Sequence, residues 1–262
     1  MNQHRFVWHD FNTKDLEGAK RFYGEVFNWA FPKSDGEYAH ISAGDQMIGG
    51  MRQMGANEQQ PPSWLGYVFV DNVASTVATI EKSGGRVYMP TNTIENVGTF
   101  AVTADPTGAV FAPWKSARAE ENKPEVSPPP MPKPGTFCWD ELMTTDPDKA
   151  GKFYAAVFGW EPHSVDMGGG QTYTLLHRPG TKGPNNQPLG AGGMMKSPPG
   201  VPHSFWLAYV AVENADQSSD KAKRLGAQIM VPPTDIPNVG RFACWMDPQQ
   251  AAIAVLAPAA MK

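Results

Sequence analysis

The sequence predicts an α+β fold built from four βαβββ modules, two in each half of the chain. Three observations carry that prediction. The segment FVWHDFNTKDLEGAKRFYGEVFNW (6–29) aligns without a gap on FCWDELMTTDPDKAGKFYAAVFGW (137–160). The later parts of the two halves also match, from WLGYVFV (64–70) against WLAYVAV (206–212) to Asp105-Pro106 against Asp247-Pro248. Within each half the order strand, helix, strands runs twice. A repeat of such long period makes the unit a domain rather than a solenoid turn.

The elements follow in chain order. A first strand is expected at 6–11 and again at 137–143. A helix comes next, with Asp15 and Asp146 as N-caps and Pro147 at the first helical position, where its missing N–H costs nothing. Leu16, Ala19, Tyr23 and Val26 recur at helical spacing, as do Ala150, Tyr154 and Val157. Strands are expected at 38–42 and 173–177. The scheme restarts with strands at 65–70 and 207–212 and helices at 72–83 and 214–225, stopped by Gly84 and Gly226. Short strands at 86–89, 99–103 and 110–114, with their copy-two equivalents, complete it. A sheet assembled this way must bend, and a cupped sheet makes a cavity.

The stretch SARAEENKPEVSPPPMPKP between the copies is proline-rich and charged, as suits a semi-extended linker. The expected organisation is a first domain at 5–115, a linker at 116–134 and a second domain at 135–262. The chain has 262 residues, 41 % of them hydrophobic, and a formal net charge of −4. There is no basic stripe, so nucleic acid would lack its main affinity term. Cys138 and Cys244 are too few for a disulfide framework and read as buried thiols. No stretch reaches the ~18 apolar residues of a membrane span, and the N-terminus has no signal-like apolar region. A cytoplasmic protein that touches neither membrane nor nucleic acid is expected, with homodimerisation left open.

The combination of a T-x-D helix start, the helix ends FYGEVFNW and FYAAVFGW, the Gly-Gly-Met segments, the NVG-x-F loops and ADPTGA resembles the vicinal-oxygen-chelate superfamily. This is the glyoxalase, bleomycin-resistance and extradiol-dioxygenase group. The resemblance spans nearly the whole chain outside the linker. It implies modules paired into two cupped, open-barrel mixed-sheet domains with ligand held inside the cup. Pairing of consecutive modules and exchange between domains are both open.

Many enzymes of that superfamily hold a divalent metal with His, Gln or Glu from the first and last strands of a module. Placed by distance from the motifs, those points fall on Trp8, Trp139, Leu65, Leu207, Ala112 and Ala254. None offers a lone pair suited to such an ion. The expectation is therefore a cleft without metal at these points. A site assembled from His40, His163, His177 and His203, which lack matched spacing, is the alternative.

Strand side chains alternate faces. Asp10 and Glu141 thus share the face of Trp8 and Trp139 and are the candidate catalytic residues, as general base or as polar anchor. Trp8, Trp139, Tyr67, Tyr209, Met51 and Met194 are the candidate ligand-binding residues; Tyr and Met on a concave sheet would make an adaptable, mostly apolar lining. His9 falls on the opposite face, as a core or seam residue. Asn96 and Asn238 read as turn residues beside glycine. Three functions fit: binding of a small, largely apolar molecule without metal at the usual points, a divergent lyase/isomerase- or dioxygenase-type enzyme using Asp10 and Glu141 or an atypical metal site, or a structural, partner-binding role.

Overall fold

The computed structural model describes residues 4–122, 131–168, 170–183 and 188–259. The protein is α+β, with fifteen strands and four α-helices among the described residues. In copy one, β1 (Phe6–Thr13), α1 (Leu16–Phe27), β2 (Tyr38–Ala43) and β3 (Gln46–Gln53) form module one. Module two contains β4 (Ser63–Phe69), α2 (Val73–Lys82), β5 (Arg86–Ile94), β6 (Gly98–Ala104) and β7 (Val110–Ser116). In copy two, β8 (Phe137–Thr144), α3 (Pro147–Phe158), β9 (Glu161–Asp166), β10 (Thr172–His177) and β11 (Gly190–Lys196) form module three. Module four contains β12 (Phe205–Ala211), α4 (Ala215–Arg224), β13 (Gln228–Ile236), β14 (Gly240–Met246) and β15 (Ala252–Pro258).

All four helices start where local chemistry places them. Asp15, Asn72, Asp146 and Asn214 accept from the backbone N–H of Gly18, Ser75, Lys149 and Gln217, respectively. Each cap satisfies an amide that the first turn leaves without an intrahelical partner. The linker segment begins with a 3-10 turn at Ala119–Asn122, folded back by Ser116 Oγ donating to Glu121 (2.7 Å) and Asn122 donating to the Ser116 carbonyl (2.9 Å). Residues 123–130 of the expected linker lie outside the described residues.

The strands form two mixed sheets, ordered β2-β3-β1-β4-β7-β6-β5 and β13-β14-β15-β12-β8-β11-β10-β9. Three strands, β3, β9 and β11, were not expected from sequence. β3 (QMIGGMRQ) pairs parallel with β1, and β11 (GAGGMMK) pairs parallel with β8. Their glycines follow from close packing. A Cβ on Gly49 would strike the His9 carbonyl, and one on Gly192 the Asp140 carbonyl. Among the described residues, no helix is long and apolar enough to cross a membrane.

By packing, the chain divides into two compact units, each drawing on both copies. One comprises residues 1–7, 66–130 and 140–206; the other comprises 8–65, 131–139 and 207–262. In the first unit α2 packs on α3 around Val68, Ile80, Phe111, Leu142, Phe153, Tyr154 and Trp160. In the second, α1 packs on α4 around Phe11, Phe22, Tyr23, Ile41, Met51, Trp245 and Ile253.

Each unit is tied by the same buried relay. In the second unit Trp64 Nε1 donates to the Tyr23 hydroxyl (3.1 Å), which donates to Asp247 Oδ2 (2.9 Å). In the first, Trp206 Nε1 donates to the Tyr154 hydroxyl (2.8 Å), which donates to Asp105 Oδ2 (3.1 Å). The Tyr of each helix motif thus closes on the Asp-Pro turn of the other sequence copy. Burial pushes the Asp247 carboxyl up, partly offset by the Ala251 amide, the Tyr23 hydroxyl and the Gln249 amide.

Candidate functional site

The candidate site is built on the strand face turned away from the helices. In β1, His9, Phe11 and Thr13 are buried, and His9 stacks on Phe137 at 4.0 Å. Trp8, Asp10 and Asn12 alternate with them, half-buried on the other face. The expected parity of Trp8 and Asp10 is therefore present. Trp8 Nε1 donates to Asp10 Oδ1 (2.8 Å) and approaches the Tyr38 hydroxyl (3.3 Å), while Tyr38 donates to the same Oδ1 (2.7 Å). Burial, then the Asp10 charge, holds the Tyr38 phenol far above its ordinary range, so it stays a neutral donor. His40 meets Tyr38 edge-on at 5.1 Å and Trp8 at 6.3 Å.

Gly50 makes room for this triad. It pairs with Asp10 on β1 and with His40 on β2, and a Cβ there would collide with the Tyr38 hydroxyl and approach Asp10. Copy two repeats the arrangement: Gly193 pairs with Glu141, and a Cβ on it would collide with the Tyr173 hydroxyl. Glu141 is only 6 % exposed, and Trp139 is half-buried. Tyr38 and Tyr173 were not among the expected site residues. The signal was present in the sequence, a tyrosine matched between copies upstream of a matched Gly-Gly pair.

The overpacking is testable. Gly50→Ala should lower stability by about 1–3 kcal/mol in urea denaturation, and much less in a Tyr38→Phe background. Gly151→Ala, where the new Cβ meets only Met194 at an ordinary 3.6 Å on helix α3, should raise stability by up to about 1 kcal/mol. Equal effects at the two glycines would show that Gly50 is not reserved for the tyrosine.

Tyr67 and Tyr209 occupy the expected face. Tyr67 pairs with Ala112 and Tyr209 with Ala254, opposite in parity to the core residues Phe111, Ile253 and Val255. Tyr67 forms an aromatic cluster with Phe100 (5.9 Å) and Trp114 (6.0 Å). Tyr209 lies 6.5 Å from Phe242, and its carbonyl accepts from Cys138 Sγ at 3.5 Å.

Met51 and Met194 are corrections. Met51 pairs with Phe11 and Met194 with Leu142, so both point into the helix-side cores, 0 % and 2 % exposed. The parallel register decides this: each methionine follows the glycine that faces the carboxylate, and strand alternation sends it to the other side. Two surface pockets of about 380 and 390 Å³ lie elsewhere, one at the loop after β3 by Lys14, Met54 and Glu58, the other beside α1 by Arg21, Phe22 and Leu225. Neither includes any residue of the matched strand faces.

Residues 5–112 and 137–255 each match the Glyoxalase/Bleomycin resistance protein/Dioxygenase superfamily. The chain belongs to that superfamily. Among similar proteins of this superfamily is CFP32 of Mycobacterium tuberculosis (strain CDC 1551 / Oshkosh), described provisionally as a glyoxylase. It is 36% identical over 260 residues, covering 96% of this chain and 94% of that protein. The anthracycline biosynthesis protein DnrV of Streptomyces peucetius is 29% identical, covering 95% of this chain and 92% of its own length. Of solved structures, the Mn(II)-bound glyoxalase from Novosphingobium aromaticivorans superposes with a TM-score of 0.63 at 15% identity, over 98% of this chain and 83% of that one. The 2,3-dioxygenase LapB from Pseudomonas sp. KL28 gives 0.64 at 13% identity, over 97% and 91%. At such identities the structures speak for the fold alone.

The residues at the points where the sequence resemblance would put metal ligands do not suit a divalent ion. Ala112 and Ala254 are fully buried methyl groups, and Leu65 and Leu207 are buried hydrocarbon. Trp8 has only an N–H, already directed at Asp10 and Tyr38. Among the described residues no three His, Cys, Asp or Glu side chains gather as a metal site. His163 and His177 do stack at 5.7 Å, and burial, followed by the neighbouring His163, lowers the His177 pKa.

Proposed function

We propose that this superfamily member binds a small, largely apolar organic molecule on its helix-free strand faces, without a metal at the usual points. Asp10 and Glu141 serve as polar anchors. The observation that carries this reading is the Trp8–Tyr38–Asp10 triad. Two residues along the same strand face from Trp8, this chain has a carboxylate oxygen already held by one N–H and one O–H donor. A fixed acceptor among aromatic rings suits a ligand hydroxyl or amine. Within the other compact unit, the Tyr67–Phe100–Trp114 cluster separately presents apolar surface of the kind ligand sites use. The proposal is compatible with both kinds of name carried by the relatives, glyoxylase and anthracycline biosynthesis protein.

The test is a thermal-shift screen of aromatic and aliphatic compounds, run with Mn(II) and again with a chelator. Aromatic ligands should raise the melting temperature equally in both conditions, since a ligand at a hundredfold over its Kd adds about 2.7 kcal/mol. Shifts that require Mn(II), or stoichiometric metal in the purified protein, would overturn the metal-free reading.

A further inference from the structure

The duplication places the same lattice of positions on two strand faces, and the residues filling it have diverged. In module one, direct strand pairing gives the rows Asp10–Gly50–His40 and Asn12–Arg52–Tyr38. In module three it gives Glu141–Gly193–Leu175 and Met143–Met195–Tyr173. Directly paired residues share a face. The carboxylate, the glycine and the tyrosine are kept. His40, Asn12 and Arg52 are replaced by Leu175, Met143 and Met195.

The two faces differ in consequence. On the first, Arg52 Nε donates to Asn12 (2.8 Å), while Nη1 and Nη2 fork onto the Glu58 carboxylate (2.7 and 2.8 Å). That fork, with the Gly55 amide, holds Glu58 at a pKa of about 2, so the brace stays ionised at neutral pH. Seating an apolar ring there would strand a guanidinium pair away from water, a cost without return. On the second face the positions of Asn12, Arg52 and His40 carry thioether and hydrocarbon, half-buried, so a ring seated on Met143, Met195 and Leu175 displaces water from no charged brace at those three positions. Copy two also has an added strand. β9 pairs with β10, extends the row to Val165, which is 40% exposed, and continues the apolar surface beyond Tyr173. In copy one the corresponding segment makes only isolated bridges, Ala30 to Ser42 and Ser34 to Ala39.

We propose that the two copies have divided their roles: the module-three face of Met143, Met195, Leu175 and Val165 takes a flat apolar ligand that offers a hydroxyl or ammonium donor to Glu141, while the braced module-one face does not. This rests on the small-molecule reading above and narrows it to one copy. Unbranched Met side chains adapt to flat rings better than branched ones. A carboxylate has acceptor capacity for several donors, so a ligand hydroxyl or ammonium adds a charge-assisted hydrogen bond that a hydrocarbon cannot.

The probes are 2-naphthol and naphthalene, titrated by calorimetry into the full chain. Wild type should bind about one 2-naphthol per chain, with naphthalene about tenfold weaker, the worth of one hydrogen bond to a charged acceptor. Met143→Asn/Met195→Arg, which installs the copy-one pair, should weaken 2-naphthol at least tenfold. Leu175→His, a single change, should weaken it in the same direction should the double variant fold poorly by circular dichroism. Asn12→Met/Arg52→Met should leave the original site unchanged. Glu141→Gln should remove the preference for 2-naphthol over naphthalene. Binding that survives the copy-two changes but is lost in Asn12→Met/Arg52→Met, or two equal sites in wild type, would overturn the division of roles while leaving the small-molecule reading standing. No binding of either probe or of any screened compound would overturn both.

Discussion

Raised above pH 10, the protein should unfold in a steep, cooperative step that releases tyrosinate signal abruptly. Three of its seven tyrosines are responsible. Tyr23 and Tyr154 are fully buried against Asp247 and Asp105, and Tyr38 lies against Asp10. In each case burial is the main cause of a phenol pKa raised well above 10.0, and the neighbouring carboxylate is the next. The sign follows directly. Above pH 10 the unfolded chain loses these protons while the folded chain keeps them, so stability falls as pH rises through the interval up to the folded values. Three such groups give a slope of about 4 kcal/mol per pH unit. A stability of about 5–15 kcal/mol is then exhausted within roughly one to four units. Tyr38→Phe should reduce the slope by about a third, measured by urea denaturation between pH 10 and 11. A gradual titration of all seven tyrosines near pH 10, with the fold intact, would rule this out.

The same tyrosines show where the sequence was readable and where it was not. Asp15 and Asp146 were readable as caps because capping is local: the acceptor and the amide it serves are three residues apart, a spacing that Asn72 and Asn214 share though they were read only as helix starts. The parity of Trp8, Asp10, Tyr67 and Tyr209 was readable because each sits on a strand whose alternation shows in the sequence itself. β3 and β11 were not readable. Their glycines look like loop, yet Gly49, Gly50, Gly192 and Gly193 are demanded by a carbonyl or a tyrosine from another strand. Without those two strands no register existed for Met51 and Met194, and their glycine neighbours drew them to the wrong face. The matched copies did hold the missing information. Tyr38 and Tyr173 each precede the Gly-Gly pair of their copy, at different distances, and a tyrosine that must lie over a glycine explains both residues at once. Likewise Asp105 and Asp247 were legible as a matched Asp-Pro pair, but their second oxygen, which reaches a tyrosine from the other copy, belongs to tertiary structure alone.

That second oxygen makes Asp247→Ala and Asp105→Ala the costliest single substitutions expected outside the hydrocarbon core. Asp247 is 1 % exposed and has two duties. Its Oδ1 accepts from the backbone amides of Gln249 and Ala251, both at 2.8 Å, closing the turn into β15. Its Oδ2 accepts from the Tyr23 hydroxyl on α1. Asp105 does the same for Thr107, Ala109 and Tyr154. Truncation leaves one buried and one half-buried turn amide and a buried phenol without an acceptor, each worth up to about 1–3 kcal/mol when unsatisfied. Relaxation of the turn recovers part of that, so the expected loss is about 3–5 kcal/mol. Tyr23→Phe should cost less, about 1–3 kcal/mol, because the turn amides keep their carboxylate. The pair should also be coupled. With Tyr23→Phe already present, Asp247→Ala has less left to break, and the double-mutant cycle should return an interaction of about 0.5–3 kcal/mol. Asp247→Asn keeps one acceptor oxygen and should fall between wild type and alanine. Denaturation midpoints for the four proteins of the cycle decide the matter. Strict additivity would mean that the hydroxyl and the carboxylate contribute independently. In that case the matched Tyr–Asp pairs would be two separate burial sites, and the seam joining the helix of one copy to the turn of the other would rest on apolar packing alone.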